Sequence, residues 1–502
     1  MRSSSSSSLS SDKLHQYCIK KDKWFDLGSK LSPFFLLCSL GLTLIFGFFI
    51  LHSPNPFKVP NQQTVFVKHH QNDDEKCDLF KGHWVPDMNG SLYTNWSCPT
   101  IPDSKNCFKN GREDADFVNW RWKPEQCDLP RFDPKTFLRI VQGKTMAFIG
   151  DSVARNQMES LLCLLSKVSE LGQFEQFGQF GQPEFKIQSL GRAWATMFGF
   201  MVGLGRTWAM PNTIRVGLGQ TPNPTEPARV APLGICNDAH DRMKEEIPRE
   251  VYKDSEDRFR TWHFPFHDFT LMILWSKFLI KGKERVINGS NTGIFDLQLD
   301  RIDDKWAQKL PNIDYAIISD AHWFFRKLYL YEGNNLIGCV YCNEPNVTDH
   351  GLGFALRMSF RAALNHINQC GECRSKMVTL LRTFSPAHFE NGAWDTGGRC
   401  NRTSPLAGDG VKLGGVDLEL RRIQLEEVER AKKRGERRGK KFGALDVTGA
   451  MMVRPDGHPG SHWGNKWMKG YDDCVHWCLP GPIDAWNDFL MAVLKKEAGL
   501  LV

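Results

Sequence analysis

The sequence has almost no net charge outside a single segment. Its 502 residues carry a formal charge of +7, and Arg421–Lys441, with ten Lys/Arg and four Glu, contributes +6, which leaves +1 for the remainder. This pattern favours a solvated basic helix with Glu–Arg and Glu–Lys pairs, and a surface for an anionic polymer is the alternative. A cofactor signature is also lacking, so we expect no bound cofactor and no resident metal ion.

Charge is absent altogether from Leu31–Leu51, 21 residues that are long enough to span a bilayer. The segment lacks a small-residue cleavage pattern, which argues against a cleaved signal peptide. Six Lys/Arg precede it, whereas only Lys58 and Lys68 follow within the next twenty residues. This bias predicts a cytosolic N-terminus and a lumenal remainder, where nucleic acid is not an expected partner.

Cysteine usage is consistent with a lumenal location. Of 15 Cys, all but Cys18 and Cys38 follow the apolar segment, and this density in an exported region predicts disulfides. The two C-x-x-C pairs, Cys339/Cys342 and Cys370/Cys373, also have the spacing of a zinc site, which is the alternative. Five N-x-S/T sequences are candidate glycosylation sites, at Asn89, Asn95, Asn288, Asn346 and Asn401.

Changes in composition divide the chain into five predicted parts. They are a Ser-rich tail (1–30), a transmembrane anchor (31–51), a stem (52–76), a Cys-rich N-terminal subdomain (77–130) and a catalytic α/β region (131–502). In the last part, the apolar runs Phe269–Trp275, Tyr315–Ile318 and Met377–Arg382 predict parallel strands, and Leu352–Ile367 predicts a helix.

The stretch Lys144–Lys167 is the first candidate for chemistry. Thr145–Ile149 has the length of a buried strand, and Val153–Lys167 repeats its apolar residues at helical spacing. The intervening Gly-Asp-Ser would then raise Ser152 above the C-terminal edge of a sheet, beside the first amides of a helix. An accessible serine near such donors suits acyl transfer, although Gly-Asp-Ser is also common turn chemistry.

A second candidate lies near the C-terminus, in Tyr471–Pro480. Asp473 and His476 are three residues apart, so a helical turn would place them on one side. The carboxylate could then accept a hydrogen bond from Nδ1 and leave Nε2 to take a proton from serine. Cys474 and Cys478 flank the pair and suggest that the loop is pinned. A structural histidine beside a capping Asp is the alternative.

Together these stretches resemble the plant trichome-birefringence-like family of polysaccharide O-acetyltransferases. The resemblance is carried by GDSVARNQMESLLCLL and DCVHWCLPGPIDAWNDFL, and extends to CDLFKGHWVPD, WRWKPEQCDLPRFD and WDTGGRC. It implies a Golgi type II membrane protein, anchored by a single pass, with a GDSL/SGNH-like parallel sheet, flanking helices and a lumenal catalytic domain.

Site residues follow from the same resemblance. Ser152 would be the nucleophile, His476 the base and Asp473 the residue that orients the base. Residues expected to contact substrate are Arg155, Asn156, His322, Trp323 and Trp477. The implied disulfides are Cys77–Cys127, Cys98–Cys163, Cys107–Cys478 and Cys400–Cys474, and the two C-x-x-C pairs would complete a set of six.

The sequence departs from the family pattern in two places. Ser319-Asp-Ala-His322-Trp323 stands where many members have Asn-Thr-Gly-His-Trp, so the oxyanion-hole Asn of SGNH folds is not evident; this form resembles the xyloglucan-acetylating branch. Residues 169–245 are predicted to be an atypical insertion, because relatives pass almost directly from the serine helix to a segment like Pro248–Tyr252.

We therefore expect an enzyme that acetylates a cell-wall polysaccharide through an acetyl-serine, with xyloglucan as the expected acceptor. The acetyl donor cannot be identified from the sequence. An acetylesterase with the same machinery is one alternative. The other is a non-enzymatic polysaccharide-binding protein, because 16 Trp could supply flat surfaces for sugar rings.

Overall fold

The computed structural model describes residues 77–177, 247–406, 415–464 and 470–500. The predicted tail, anchor and stem lie outside these ranges, as does 178–245 of the predicted insertion. Among the described residues, no helix combines the length and apolar character needed to cross a bilayer.

Strands and helices alternate along much of the described chain. The strands are β1 (Gly82–Pro86), β2 (Trp120–Pro124), β3 (Thr145–Gly150), β4 (Arg249–Lys253), β5 (Phe259–Phe264), β6 (Phe269–Trp275), β7 (Ile280–Ile287), β8 (Ser290–Ile302), β9 (Tyr315–Ser319), β10 (Leu328–Glu332), β11 (Asn335–Val340), β12 (Val378–Arg382) and β13 (Lys441–Leu445). The helices are α1 (Pro134–Ile140), α2 (Ser152–Phe177), α3 (Asp304–Ala307), α4 (Gly351–Gln369), α5 (Val416–Gly435), α6 (Thr448–Met451) and α7 (Ala485–Glu497).

A seven-stranded sheet forms the centre, in the order β13-β12-β9-β3-β6-β5-β4. The five strands from β13 to β6 run parallel, whereas β5 and β4 are antiparallel at one edge. The α/β class is therefore confirmed, but the sheet is mixed rather than wholly parallel. A second sheet, ordered β11-β10-β8-β7, was not predicted, because the polar, half-exposed strands β7 and β8 carry no continuous apolar run.

The central strand β3 shows why the sheet is buried on both faces. Met146 and Phe148 belong to one hydrophobic cluster, and Ala147 and Ile149, which point the other way, belong to a second. Successive side chains of a strand alternate between faces, so a parallel strand covered on both sides reads as a continuous apolar run. Helices α2 and α7 contribute to the first cluster, and α4 and α5 contribute to the second.

The basic segment is a helix over only part of its length. Helix α5 ends at Gly435, and the last residue of the segment, Lys441, begins strand β13. On its outer face Glu426 pairs with Arg357 at 2.7 Å and also with Arg422, which fits the predicted solvated helix with ion pairs.

Within the described ranges, six disulfides join twelve cysteines in the same pairs that the resemblance implies, including both C-x-x-C pairs. Cys98–Cys163 ties the N-terminal region to helix α2, and Cys107–Cys478 ties it to the C-terminal loop. Strands β1 and β2 pair as an antiparallel ribbon in this region. The N-terminal region is thus covalently attached to two parts of the α/β region.

Position 150, the last of β3, requires glycine because its backbone lies very close to that of Ser319 on β9. Its φ is +146°, and a Cβ there would lie 1.6 Å from the carbonyl oxygen of Ser319 on β9. A residue with a Cβ is therefore unfavourable here for two reasons, the positive φ and the clash with the β9 backbone. We expect Gly150→Ala to lower the free energy of unfolding by at least about 3 kcal/mol, measured by denaturant unfolding of the purified protein.

Gly143→Ala is the matched control. Gly143 also has a positive φ, +67°, but nothing lies within 4 Å of a Cβ placed there. This substitution should cost only about 1 kcal/mol. Equal stabilities for the two variants would show that the approach of Gly150 to β9 is not a constraint on the fold.

Candidate active site

The turn after β3 places a serine at the C-terminal edge of the parallel strands. In the sheet, Gly150 lies opposite Ser319 on one side and Trp275 on the other. The backbone N–H of Asp151 donates to the carbonyl of Ser319 at 3.2 Å, and α2 begins at Ser152. Ser152 is half-buried, so its hydroxyl stands at this edge with access to solvent.

Three side chains from distant parts of the chain meet at this serine. Ser152 Oγ lies 2.8 Å from His476 Nε2, and His476 Nδ1 lies 2.8 Å from Asp473 Oδ2. With Nδ1–H donating to the carboxylate, Nε2 is the lone-pair nitrogen that accepts the hydrogen bond from the serine hydroxyl. The structure thus brings together the predicted nucleophile, base and orienting residue.

Asp473 and His476 meet through a tight turn rather than the helical turn that we predicted. Asp473 Oδ1 accepts hydrogen bonds from the backbone N–H groups of Val475 (3.1 Å) and His476 (3.0 Å), while Oδ2 faces the imidazole. Burial opposes ionisation, but the His476 ring and these hydrogen bonds hold the pKa of Asp473 well below its usual range. The orienting residue is therefore a carboxylate at neutral pH.

Backbone and disulfide bonds hold this turn on both sides. Asp473 exchanges two backbone hydrogen bonds with Gly460, at 2.9 and 3.0 Å. Cys474 and Cys478, which flank His476, are bonded to Cys400 and Cys107. The predicted pinning of the loop is therefore present, and it involves both the α/β region and the N-terminal region.

Two predicted substrate-binding residues instead support the loop from inside. Asn156 and Trp477 are fully buried, so neither can contact a polysaccharide. Asn156 Oδ1 accepts the backbone N–H of Trp477 at 2.8 Å, and its Nδ2 donates to the Trp477 carbonyl at 3.3 Å. Helix α2, which carries Ser152, therefore also holds the residue that follows His476.

His458 is a further support that the sequence did not reveal. Its Nδ1 lies 2.7 Å from the His476 carbonyl and donates to it, while its ring stacks on Trp477 at 4.1 Å. Burial, with His388 at 2.7 Å, keeps the pKa of His458 well below its usual range, so the ring is neutral. His458 lies in Asp-Gly-His-Pro-Gly, a stretch with many turn-forming residues that gave no signal for a buried ring.

Asp151 uses the helix amides that we expected to remain available for an oxyanion. Its Oδ1 accepts the N–H groups of Val153 (2.9 Å) and Ala154 (3.3 Å). In the first turn of α2, the N–H of Ser152 is therefore the backbone donor that does not bond to Asp151. Burial opposes the charge on Asp151, yet His322 and Arg382 bring its pKa down to about 2.

His322 and Trp323 lie beside this cap, at the end of β9. His322 Nδ1 is 3.7 Å from Asp151 Oδ2, and its Nε2 is buried without a hydrogen-bond partner among the described residues. Trp323 is half-buried and packs edge-on against Trp275 at 5.8 Å. Both residues therefore adjoin the serine edge, and their contact with substrate stays a prediction.

Arg155 connects the serine helix to the turn between β4 and β5. Its Nη2 donates to the carbonyl of Asp257, and its Nη1 lies 3.6 Å from the Asp257 carboxylate. Its Nε is buried with no hydrogen-bond partner in the described part of the chain. The side chain lies one turn after Ser152, and its predicted contact with substrate stays a prediction.

Two further buried charges near the cap were not anticipated. Arg382, at the end of β12, donates from Nη2 to Ser319 Oγ, and burial lowers its pKa to about 10. Burial and the charge of Asp151 raise the pKa of Asp320 well above its usual range. Their positions at strand ends were the available signal, since parallel strands bring such residues to one edge.

The remaining predicted sites fall on the surface or in disulfides. Asn89, Asn288, Asn346 and Asn401 are exposed, and Asn95 is half-buried. Across the described ranges, no three His, Cys, Asp or Glu side chains form a group that could hold a metal ion. Both C-x-x-C pairs are disulfides, so the alternative zinc reading is not supported.

Two sequence-family models match the chain. Residues 129–193 and 242–493 match the PC-Esterase family, described as a GDSL/SGNH-like acyl-esterase family found in Pmr5 and Cas1p. Residues 75–128 match the PMR5 N-terminal domain. The gap at 194–241 lies inside the segment that we predicted to be an insertion.

Curated plant proteins are similar to the chain over nearly its whole length. It is 52% identical to xyloglucan O-acetyltransferase 4 of Populus trichocarpa, with 95% of each chain covered. It is 50% identical to xyloglucan O-acetyltransferase 3 of the same species, over 92% of this chain and 97% of the relative. It is 48% identical to xyloglucan O-acetyltransferase 2 of Arabidopsis thaliana, over 95% of this chain and 96% of the relative.

The double hydrogen bond from Asn156 to Trp477 predicts a rate effect. We expect Asn156→Ala to lower the kcat for hydrolysis of an activated acetyl ester by about 10- to 100-fold, because His476 loses its support from helix α2. The KM should change little, since Asn156 cannot reach the substrate.

Asn487→Ala is the matched control for this substitution. Asn487 is as fully buried and donates to Ser160 Oγ at 2.9 Å, but it does not bond the His476 loop. Its loss should lower stability by a similar amount, about 1–3 kcal/mol, with kcat nearly unchanged. If both variants lose the same activity, the effect comes from destabilisation rather than from positioning.

Proposed function

The chain belongs to the PC-Esterase family of GDSL/SGNH-like acyl-esterases, and we propose that it is a xyloglucan O-acetyltransferase that works through an acetyl-serine. The observation that carries the proposal is the line of contacts from Ser152 Oγ through His476 to Asp473, at 2.8 Å and 2.8 Å. About half of the residues are shared with proteins of that activity over nearly the whole chain, which supports xyloglucan as acceptor.

The first half-reaction forms the acetyl-enzyme. Ser152 Oγ attacks the acetyl carbonyl carbon while its proton moves to His476 Nε2, and Asp473 stabilises the resulting imidazolium through Nδ1–H. The bond from carbon to the leaving group then breaks, and the proton on Nε2 passes to that group. The N–H of Ser152 is available for the negative charge that develops on the carbonyl oxygen.

The second half-reaction transfers the acetyl group to sugar. A xyloglucan hydroxyl takes the place of the leaving group, gives its proton to His476 Nε2 and attacks the acetyl carbon. The Ser152 Oγ–carbon bond breaks, and the proton returns to Oγ. Water in the same place would hydrolyse the acetyl-enzyme, so transfer requires a bound acceptor and exclusion of water.

We also propose that the enzyme is a single-pass type II protein of the Golgi membrane with its catalytic domain in the lumen. The uncharged segment Leu31–Leu51 and the basic bias before it support this orientation. Protease added to intact Golgi vesicles should remove only the N-terminal tail. Digestion of the catalytic domain without detergent would contradict the proposal.

Ser152→Ala should lower acetyl transfer to xyloglucan by at least about 10⁴-fold, because the nucleophile is lost. Mass spectrometry of the glycan after incubation with an acetyl donor measures this directly. Ser375→Ala, at an exposed position just before β12 and outside every N-x-S/T sequence, is the control and should retain the wild-type rate. Near-normal transfer by purified Ser152→Ala protein would eliminate the mechanism.

The same assay separates the alternative activities. A transferase gives acetylated xyloglucan, whereas an acetylesterase releases acetate at the same rate with or without the glycan. A non-enzymatic binding protein would neither consume donor nor depend on Ser152.

A further inference from the structure

A group of cations and tryptophans adjoins the catalytic edge of the sheet. Trp275 ends β6 directly opposite Gly150, and the N–H of Ser276 donates to the Gly150 carbonyl at 2.7 Å. An open groove of about 820 Å³ begins here, with Arg258, Trp275 and Lys277 among its lining residues. The groove therefore starts at the end of β6, the strand that pairs with β3 at Gly150, two residues before the catalytic serine.

Three cations converge on two indole rings at this end of the groove. Lys277 Nζ and Arg326 Cζ lie 4.3 Å and 4.2 Å from the centre of the Trp323 ring, and Arg258 Cζ lies 5.2 Å from that of Trp275. The two rings contact each other at 5.8 Å. We call Arg258, Lys277, Arg326, Trp275 and Trp323 the cation–tryptophan cluster.

Nearby carboxylates neutralise only part of the positive charge of the cluster. Lys277 pairs with Glu284 at 3.7 Å and Arg258 pairs with Glu256 at 3.0 Å. Among the described residues no carboxylate is within ion-pair distance of Arg326, and its buried Nε has no hydrogen-bond partner. Along the groove as a whole, six basic residues face four acidic ones.

Partial burial makes this excess of positive charge costly. Burial lowers the pKa of Lys277; the charge of Glu284 opposes this effect, and Arg258 and Arg326 add to it. Burial also lowers the pKa of Arg326. Like charges gathered at a half-buried site repel one another, and a bound anion would relieve that repulsion.

We propose that the cation–tryptophan cluster binds the phosphate-bearing part of the acetyl donor and directs its acetyl end to Ser152. A neutral glucan offers no charge to three cations, whereas a phosphate offers both charge and acceptor oxygens to arginine and lysine. This inference rests on the proposed transferase function, because only a transferase has a donor to bind. An acetyl thioester on a phosphate-bearing carrier and an acyl phosphate share this chemistry.

Both kinds of donor would acetylate Ser152 through the same changes in bonding. The Ser152 Oγ–carbon bond forms, the bond from carbon to sulfur or to phosphate oxygen breaks, and the serine proton leaves through His476 to the departing group. The departing thiol or phosphate then dissociates from the groove before or as the glycan binds.

Inorganic pyrophosphate is the direct probe, because its binding does not depend on which donor is used. Calorimetry should detect pyrophosphate binding to the full-length protein, and Lys277→Met should weaken it by about 10-fold or more, equivalent to about 1.4 kcal/mol. Lys277→Arg should retain binding. Lys123→Met, which removes an exposed charge from the β1–β2 ribbon, should leave it unchanged.

Steady-state kinetics then show which donor is used, and whether the cluster binds the donor or the xyloglucan acceptor. Lys277→Met should raise the KM for the donor that is used, acetyl coenzyme A or acetyl phosphate. The KM for a neutral aryl acetate should stay within about 2-fold of the wild-type value, and kcat should be similar. Arg326→Met, if it folds, should behave likewise. The inference would be overturned if pyrophosphate did not bind, or if the KM changed equally for charged and neutral donors. It would also be overturned if the only effect of the Lys277 substitution were weaker binding of a xyloglucan oligosaccharide.

Failure of this inference can be told apart from failure of the proposed function. Turnover of the neutral aryl acetate that depends on Ser152, without pyrophosphate binding, would remove only the donor site. Turnover that does not depend on Ser152 would remove the proposed function itself.

Discussion

The contact between Ser152 and His476 is the constraint on which the rest of the structure depends. The two residues are 324 positions apart in the sequence, yet their side chains must meet within hydrogen-bond distance for proton transfer. Ser152 is held by a strand, a glycine and a capped helix, which are rigid elements. His476 lies in a loop, so its position has to be imposed by what surrounds it.

The loop is held by several independent contacts. Asp473 fixes the turn from within, and Asn156 joins it to the serine helix, so the nucleophile and base share one support. The backbone carbonyl of Lys105 accepts the N–H of Leu479 at 2.8 Å, and Cys107 forms a disulfide with Cys478, so the N-terminal region also holds the loop. The Cys-rich N-terminal region therefore supplies a disulfide and a backbone hydrogen bond to the segment that follows His476.

Local patterns and family motifs predicted much of this arrangement. The strand before Ser152 was predicted from a continuous apolar run, the triad from two motifs, and the disulfide partners from the family resemblance. The antiparallel strands β4 and β5 and the second sheet were not predicted, because β4, β5, β7 and β8 lack the continuous apolar runs that indicated β3, β6 and β9. Only β8 carries a strand pattern of its own, in which Phe295, Leu297 and Leu299 are buried on alternate positions. The roles of Asn156 and Trp477 were misassigned because sequence proximity to Ser152 and His476 does not tell whether a side chain faces the cleft or the core. His458 acts only through tertiary contacts, which no local pattern encodes, whereas the signal for Arg382 was its position at the end of a predicted strand.

The central claim is that Ser152 carries the acetyl group between donor and glycan. The most direct measurement is rapid acid quench of the wild-type protein with donor alone, followed by peptide mapping by mass spectrometry. The account predicts an acetyl group on the peptide that contains Ser152, and its disappearance on addition of xyloglucan together with equal acetylation of the glycan. Acetylated glycan formed without any acetyl-Ser152, including at the earliest times, would contradict it.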